Sequence, residues 1–234
     1  MWYAKPSGPY AKESIEGTAN ILEMRDILRQ DFSWTDEAIT GAISNSIYEG
    51  GLNPWRWQSD TYPPPSGQES RWGCGLFGFT PYTRYIDTTT YPYSVHMNFS
   101  TSSVTTNVLA DVGRQQVEIM ASGSWGWVST GWRSSWDPSL YPQEYMQWLQ
   151  IANTYGDGTH LTESQYSQMT NIADCVLAFL CCFEGPRTPN YTARLSVAND
   201  VYTIITGHPP TPPTPPTPSS RKGMPVYMMI KRLF

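Results

Sequence analysis

The chain has 234 residues, enough for one sizeable domain with an appendage. With 39% hydrophobic and only 15% charged residues, its composition excludes a chain that is disordered throughout. Four of the 15 Lys and Arg lie at 221–232, so residues 1–206 set 11 basic against all 20 acidic groups, a net −9; this argues against nucleic acid, whose binding rests on neutralising phosphates.

The longest apolar run, CVLAFLCCF at 175–183, is far too short for a transmembrane segment. The first residues, MWYAKPSGPY, lack the charged and apolar regions of a Sec signal peptide. Cys74, Cys175, Cys181 and Cys182 show no C-x-x-C spacing and read as reduced thiols, the adjacent pair as small core residues. His96, His160 and His208 are isolated, so no metal site and no cofactor is expected.

In chain order, residues 11–30 carry Ile15, Ala19, Leu22, Ile27 and Leu28 at helical spacing. Thr35 is an N-cap for a second helix, with Asp36 and Glu37 in its first turn and Ala38, Ile39, Ala42, Ile43, Ser46 and Ile47 along its apolar stripe. That stripe runs to Glu49 and stops on Gly50 and Gly51. Residues 58–73 read as loop. Across 74–108 the spacing predicts one short strand or turn near Gly75–Phe79 and otherwise irregular chain. Helices follow near 107–121, 141–153, 163–184 and 191–206, around a Gly- and Trp-rich loop at 122–136 whose tryptophans form either a cleft wall or a wedge between helices. The fold class is therefore mainly α. Residues 207–220 hold a Pro-Pro-Thr repeat, a semi-rigid polyproline spacer, and 221–234 form a basic, apolar docking tail.

Glu49 is the chemically pointed residue. Roofed by Leu52 and Trp55, its carboxyl is expected to be partly out of water, which favours the protonated form that acid-catalysed bond cleavage needs. A solvated helix end is the alternative.

Three segments carry a resemblance. YEGGLNPWRW (48–57) resembles the E-S-x-x-N-P-x-x-W signature that closes the second helix in the phage tail lysozyme family, within the lysozyme and lytic transglycosylase superfamily. CGLFGFTPYTRYID (74–87) resembles that family's G-x-G-L-x-Q-W-T-P segment, and VLAFLCCFEGP (176–186) its apolar helix closing on F/Y-E-R-P. The two-helix lead-in at 19–49 is similar as well, and the resemblance covers about residues 10–206.

The resemblance implies a lysozyme-like α+β domain over 1–206 with a small hairpin, and a glycosidase acting on peptidoglycan. Glu49 would be the general acid. Gly75, Leu76, Phe79 and Thr80 would line the substrate cleft. Trp55 and Tyr82, next to the motifs, are candidates to stack on sugar faces, with Trp55 packing the helix end as the alternative. Glu69 is the candidate second carboxylate, with Asp60 and Asp87 as alternatives; Glu184 is either structural or a site acid. A lytic transglycosylase needs no second carboxylate, because the sugar's own 6-hydroxyl attacks.

Departures from the motifs fall at Gly50 (usually Ser), Gly78 (usually Gln), Phe79 (usually Trp) and Gly185 (usually Arg); of these, Gly50 and Gly78 favour a rival reading as a non-catalytic tail or wall-binding protein. The partners implied are bacterial peptidoglycan as substrate and a phage tail or virion protein for the tail at 221–234. The implied location is the virion or the host cell wall.

Overall fold

The computed structural model describes residues 18–54, 73, 75–79, 86–87, 94–96, 103–105, 109–123, 127, 131–186 and 188–210. Within them lie seven helices: α1 (Ala19–Gln30), α2 (Asp36–Gly50), α3 (Leu109–Ala121), α4 (Pro142–Tyr155), α5 (Glu163–Tyr166), α6 (Ile172–Phe179) and α7 (Tyr191–Thr206). A π-helical turn, Leu180–Glu184, prolongs α6. Three short strands, β1 (Ile86–Asp87), β2 (Ser94–His96) and β3 (Ser103–Thr105), form an antiparallel sheet in the order β1-β2-β3, with Val95 opposite Ile86 on one side and Val104 on the other. The mainly helical, lysozyme-like fold class is met. The expectation of irregular chain beyond Phe79 is corrected by these strands, which are too short to show an alternating pattern in a Thr-, Tyr- and Ser-rich stretch.

α2 is the axis of the domain, packed against α1, α6 and α7. Residues Ala38 to Ser46 are all buried, so this helix has no solvent face over nine consecutive positions. Its buried polar groups are satisfied within reach: Thr40 Oγ1 donates to Asp36 O (2.7 Å), Ser44 Oγ to Thr40 O (2.7 Å), and Asn45 Nδ2 to Gly41 O (2.8 Å) and Val176 O (3.2 Å). Thr35 caps it as expected, accepting from Ala38 N–H (3.2 Å) and donating its hydroxyl to Met169 O (2.5 Å). Gly51, left-handed at φ 55°, closes the helix, its N–H donating to Ile47 O.

α1 buries Asn20, Ile21, Met24, Ile27 and Leu28, so its inner face includes Ile21 and Met24 in place of the expected Ala19 and Leu22. The helix expected over 163–184 is split. Thr162 and Gln165 form a capping box that starts α5, and Asn171 restarts the chain as α6 by accepting from Asp174 N–H (3.0 Å). Among the tryptophans, Trp127 stands edge-on to Trp34, Phe179 and Phe183 and donates Nε1–H to Met120 O (2.9 Å). Trp136 is buried and bonded to Pro186 O. These two are wedges between helices. Among the described residues, no helix is long and apolar enough to cross a membrane.

α2 and α6 approach closely at Gly41. A Cβ there would stand 2.5 Å from Tyr166 Oη and 2.7 Å from the Cys175 carbonyl carbon, so α2 and α6 meet only because the residue has no side chain. Helix propensity alone favours Gly41→Ala by about 1 kcal/mol. The contact with backbone is expected to outweigh it and to leave the variant less stable by about 1–3 kcal/mol in chemical denaturation; a gain in stability would contradict this packing.

Candidate functional site

Three segments converge on the C-terminal end of α2. The first is α2 itself, which ends in Tyr48, Glu49 and Gly50. The second is the turn Gly75–Gly78, laid flat against that end. Ser46 Oγ donates to Leu76 O (2.9 Å), and Gln116 on α3 clamps the turn by accepting from Leu76 N–H at Oε1 (2.7 Å) while donating Nε2–H to Pro54 O (2.7 Å). Gln116 is fully buried, so it ties together the chain leaving α2 and the turn that faces it. Gly50 is read by the same contact: a Cβ would meet Leu76 O and come within 2.6 Å of Gly75 O. The serine usual at this motif position does not fit so close an approach. Gly78 sits at φ +59°, and a Cβ on it would stand 3.9 Å from Glu49 Oε2. The position that carries Gln in the motif therefore lies directly over the acid.

The third segment is α7, which brings in Arg194. Its side chain has no exposed surface, whereas that of Glu49 is 20% exposed, and the two form an ion pair through Arg194 Nη2 and Glu49 Oε1. Arg194 Nη1–H donates to Asn45 Oδ1 (3.0 Å), Nε–H donates to Pro189 O (3.3 Å), and the guanidinium lies 4.6 Å from the centre of the Tyr48 ring. Of the expected apolar roof over Glu49, Leu52 is buried and Trp55 lies outside the described residues; the polar partner of Glu49 is a buried cation. Glu49 Oε2 has no hydrogen-bond partner among the described residues.

Glu184 ends the π-helical turn beside this pair. Its Oε1 is buried with no hydrogen-bond partner among the described residues. Burial pushes its carboxyl well above the ordinary glutamate range, the charge of Glu49 adds to that rise, and Arg194 opposes it. Glu184 also lines a cavity of about 350 Å³ with Arg133, Ser134, Ser135, Cys181, Phe183 and Gly185. The π turn, with one residue more per turn than an α-helix, is a device common at functional sites.

Of the other expected site residues, Leu76 and Phe79 are buried at 0% and 1% exposure, the Phe79 ring standing edge-on to Phe77. Gly75 is buried against Gln116. These residues shape the turn through packing and backbone. Glu69, Trp55, Thr80, Tyr82 and Asp60 lie outside the described residues, and of Asp87 only the backbone, in β1, is described. Arg194, Gln116 and Asn45 were not singled out from the sequence. A signal for Arg194 exists there: it heads the stripe Arg194, Ala198, Val201, Ile205 on α7, a lone cation in line with apolar residues.

A mainly helical domain with a motif glutamate at the end of its central helix, facing a glycine turn, defines a lysozyme-like protein. The sequence profile of the phage tail lysozyme family matches residues 19–205, and the chain belongs to that family. Membership carries a lysozyme-like, peptidoglycan-degrading function. No curated protein matches the chain.

The raised Glu184 carboxyl has a thermodynamic consequence. The native state holds this proton at pH values where the unfolded chain, near the ordinary 4.5, has released it. Stability is therefore lost as pH rises from that value toward the raised one. Glu184→Gln removes the titration, so its thermal midpoint is expected to fall less than that of the wild type between about pH 5 and about pH 8. Parallel curves for the two proteins would show that Glu184 titrates normally.

Proposed function

We propose that the chain cleaves the β-1,4 bond between N-acetylmuramic acid and N-acetylglucosamine in peptidoglycan by acid catalysis, with Glu49 as the proton donor. The observation that supports this most is the presentation of Glu49. The motif glutamate has one carboxyl oxygen held by Arg194 and the other turned toward the glycine turn, partly exposed. A general acid must be fixed and within hydrogen-bond reach of the leaving oxygen, and a carboxyl anchored through one oxygen meets the first requirement. Glu69 is the proposed second carboxylate, activating water in a hydrolase.

A second reading, lytic transglycosylase, has its own support. The second carboxylate beside Glu49 among the described residues is Glu184, and its burial disposes it to hold a proton and not to accept one from water. In that reaction the sugar's 6-hydroxyl replaces water. The proline spacer at 207–220 and the basic tail at 221–234 complete the proposal: they attach the enzyme to a tail or virion protein that delivers it to the cell wall.

The test is digestion of isolated peptidoglycan by wild type and Glu49→Gln, with the released fragments read by mass spectrometry. Reducing ends from wild type establish a muramidase, and 1,6-anhydro ends a transglycosylase. Glu49→Gln is expected to lose about 10²–10⁴ in rate. No fragments from the wild type on several wall types would overturn the enzymatic reading and leave a wall-binding or structural protein.

A further inference from the structure

Arg194 is a charged side chain without solvent contact, and a guanidinium is held in such a place only when paired and hydrogen-bonded. Its partners are themselves fixed. Asn45 Nδ2–H is committed to Gly41 O (2.8 Å) and Val176 O (3.2 Å), which turns Asn45 Oδ1 toward Arg194 Nη1. Pro189 O holds Nε–H, and the Tyr48 ring covers one face of the guanidinium. A chain of positioned groups thus runs from α6 through Asn45 and Arg194 to one oxygen of Glu49.

Given the proposed acid role of Glu49, on which this inference rests, we propose that Arg194 is the positioning residue of the reaction: it pins Glu49 Oε1, makes Oε2 the oxygen through which the proton passes, and stabilises the carboxylate that forms. In the cleavage step the proton on Oε2 goes to the glycosidic oxygen. The C1–O bond breaks with its electron pair on that oxygen, and Glu49 is left as a carboxylate against the guanidinium. The acceptor bonds to C1 and gives up its proton: the sugar's 6-hydroxyl returns it to Glu49, whereas water gives it to Glu69 and Glu49 regains a proton from solvent. The form that reacts is the protonated carboxyl, and its pairing with Arg194 tightens back into the resting ion pair as the proton leaves, so the contact is stronger in the transition state than just before it and acts on kcat. Among the described residues, the titratable groups beside this pair are Glu184 from the π turn and Tyr48 from α2; Arg133 lines the cavity that Glu184 also lines, its Nη1 3.0 Å from where a Cβ on Gly185 would stand. Buried Glu184, holding its proton, leaves the guanidinium to Glu49.

Wild type, Arg194→Met and Arg194→Lys are compared on isolated peptidoglycan. Arg194→Met is expected to lower kcat by about 100-fold with KM within about threefold. Arg194→Lys, which keeps the charge and loses the fork, is expected to recover about tenfold of that loss. A folded Arg194→Met with kcat within about threefold of the wild type, or one whose loss falls on KM instead, would overturn the proposal. Where neither variant folds, or the wild type does not cleave, 15N spectra of the wild-type chain decide. Hindered rotation of the Arg194 Nη groups, released in Glu49→Gln, is expected; a guanidinium that rotates alike in both proteins overturns the pairing. The wild-type digestion reports on the enzymatic reading, and the spectra report on Arg194 independently of it.

Discussion

The ion pair between Arg194 and Glu49 is the constraint around which the domain is arranged. A guanidinium with no solvent contact has to be brought to a carboxylate from another helix, and α7 and α2 meet where that happens. Once there, it needs acceptors for its remaining N–H groups, which Asn45 and Pro189 supply. Removing one partner of a buried pair typically costs about 3–5 kcal/mol, because the other charge is stranded. Glu49 retains some exposure, so water can answer for a loss of Arg194 better than for a loss of Glu49, which strands a guanidinium with no solvent contact. Both partners therefore belong to the fold as well as to the proposed chemistry.

The glycines around the acid follow from the same geometry. The turn at 75–78 lies so close to the end of α2 that Gly50 has no room for a side chain, and Gly78 adopts a left-handed conformation directly above Glu49 Oε2. These two departures from the motif, which by themselves favour a degenerate site, are compatible with an intact one. What they change is the surface the turn presents: backbone and not an amide side chain. A glycan bound here would meet peptide groups, and its specificity would depend on their hydrogen bonding.

Much of the scaffold was readable from residues. Thr35 and the stripe from Ala38 to Ile47 placed α2 and its cap, and Glu49 stood out as the candidate acid through the motif resemblance more than through the point where the apolar pattern stops. The three strands were missed because two or three residues cannot establish a period of two, and their pairing is decided by partners distant in sequence. The split between α5 and α6 was written locally, in Thr162 with Gln165 and in Asn171 with Asp174, beneath a hydrophobic pattern that runs on without a break. Arg194 and Gln116 were out of reach for a different reason. Each is defined by contacts across 145 and 40 residues of chain, to Glu49 and Leu76, and neither has a local signature beyond a polar residue where an apolar one belongs. Glu184 stands out in its motif, but its place beside Glu49 is non-local, set by the packing of α6 and its π turn against α2 and α7.

The central claim is that the free oxygen of Glu49, beneath the Gly78 turn, is where a glycan is protonated. The most direct measurement is a crystal structure of Glu49→Gln with an oligosaccharide of alternating N-acetylglucosamine and N-acetylmuramic acid. The account predicts a glycosidic oxygen within about 3 Å of the side chain at position 49, on the side of the turn and away from Arg194. A glycan bound at another surface, or lying across position 49 with no glycosidic oxygen in reach, would contradict it.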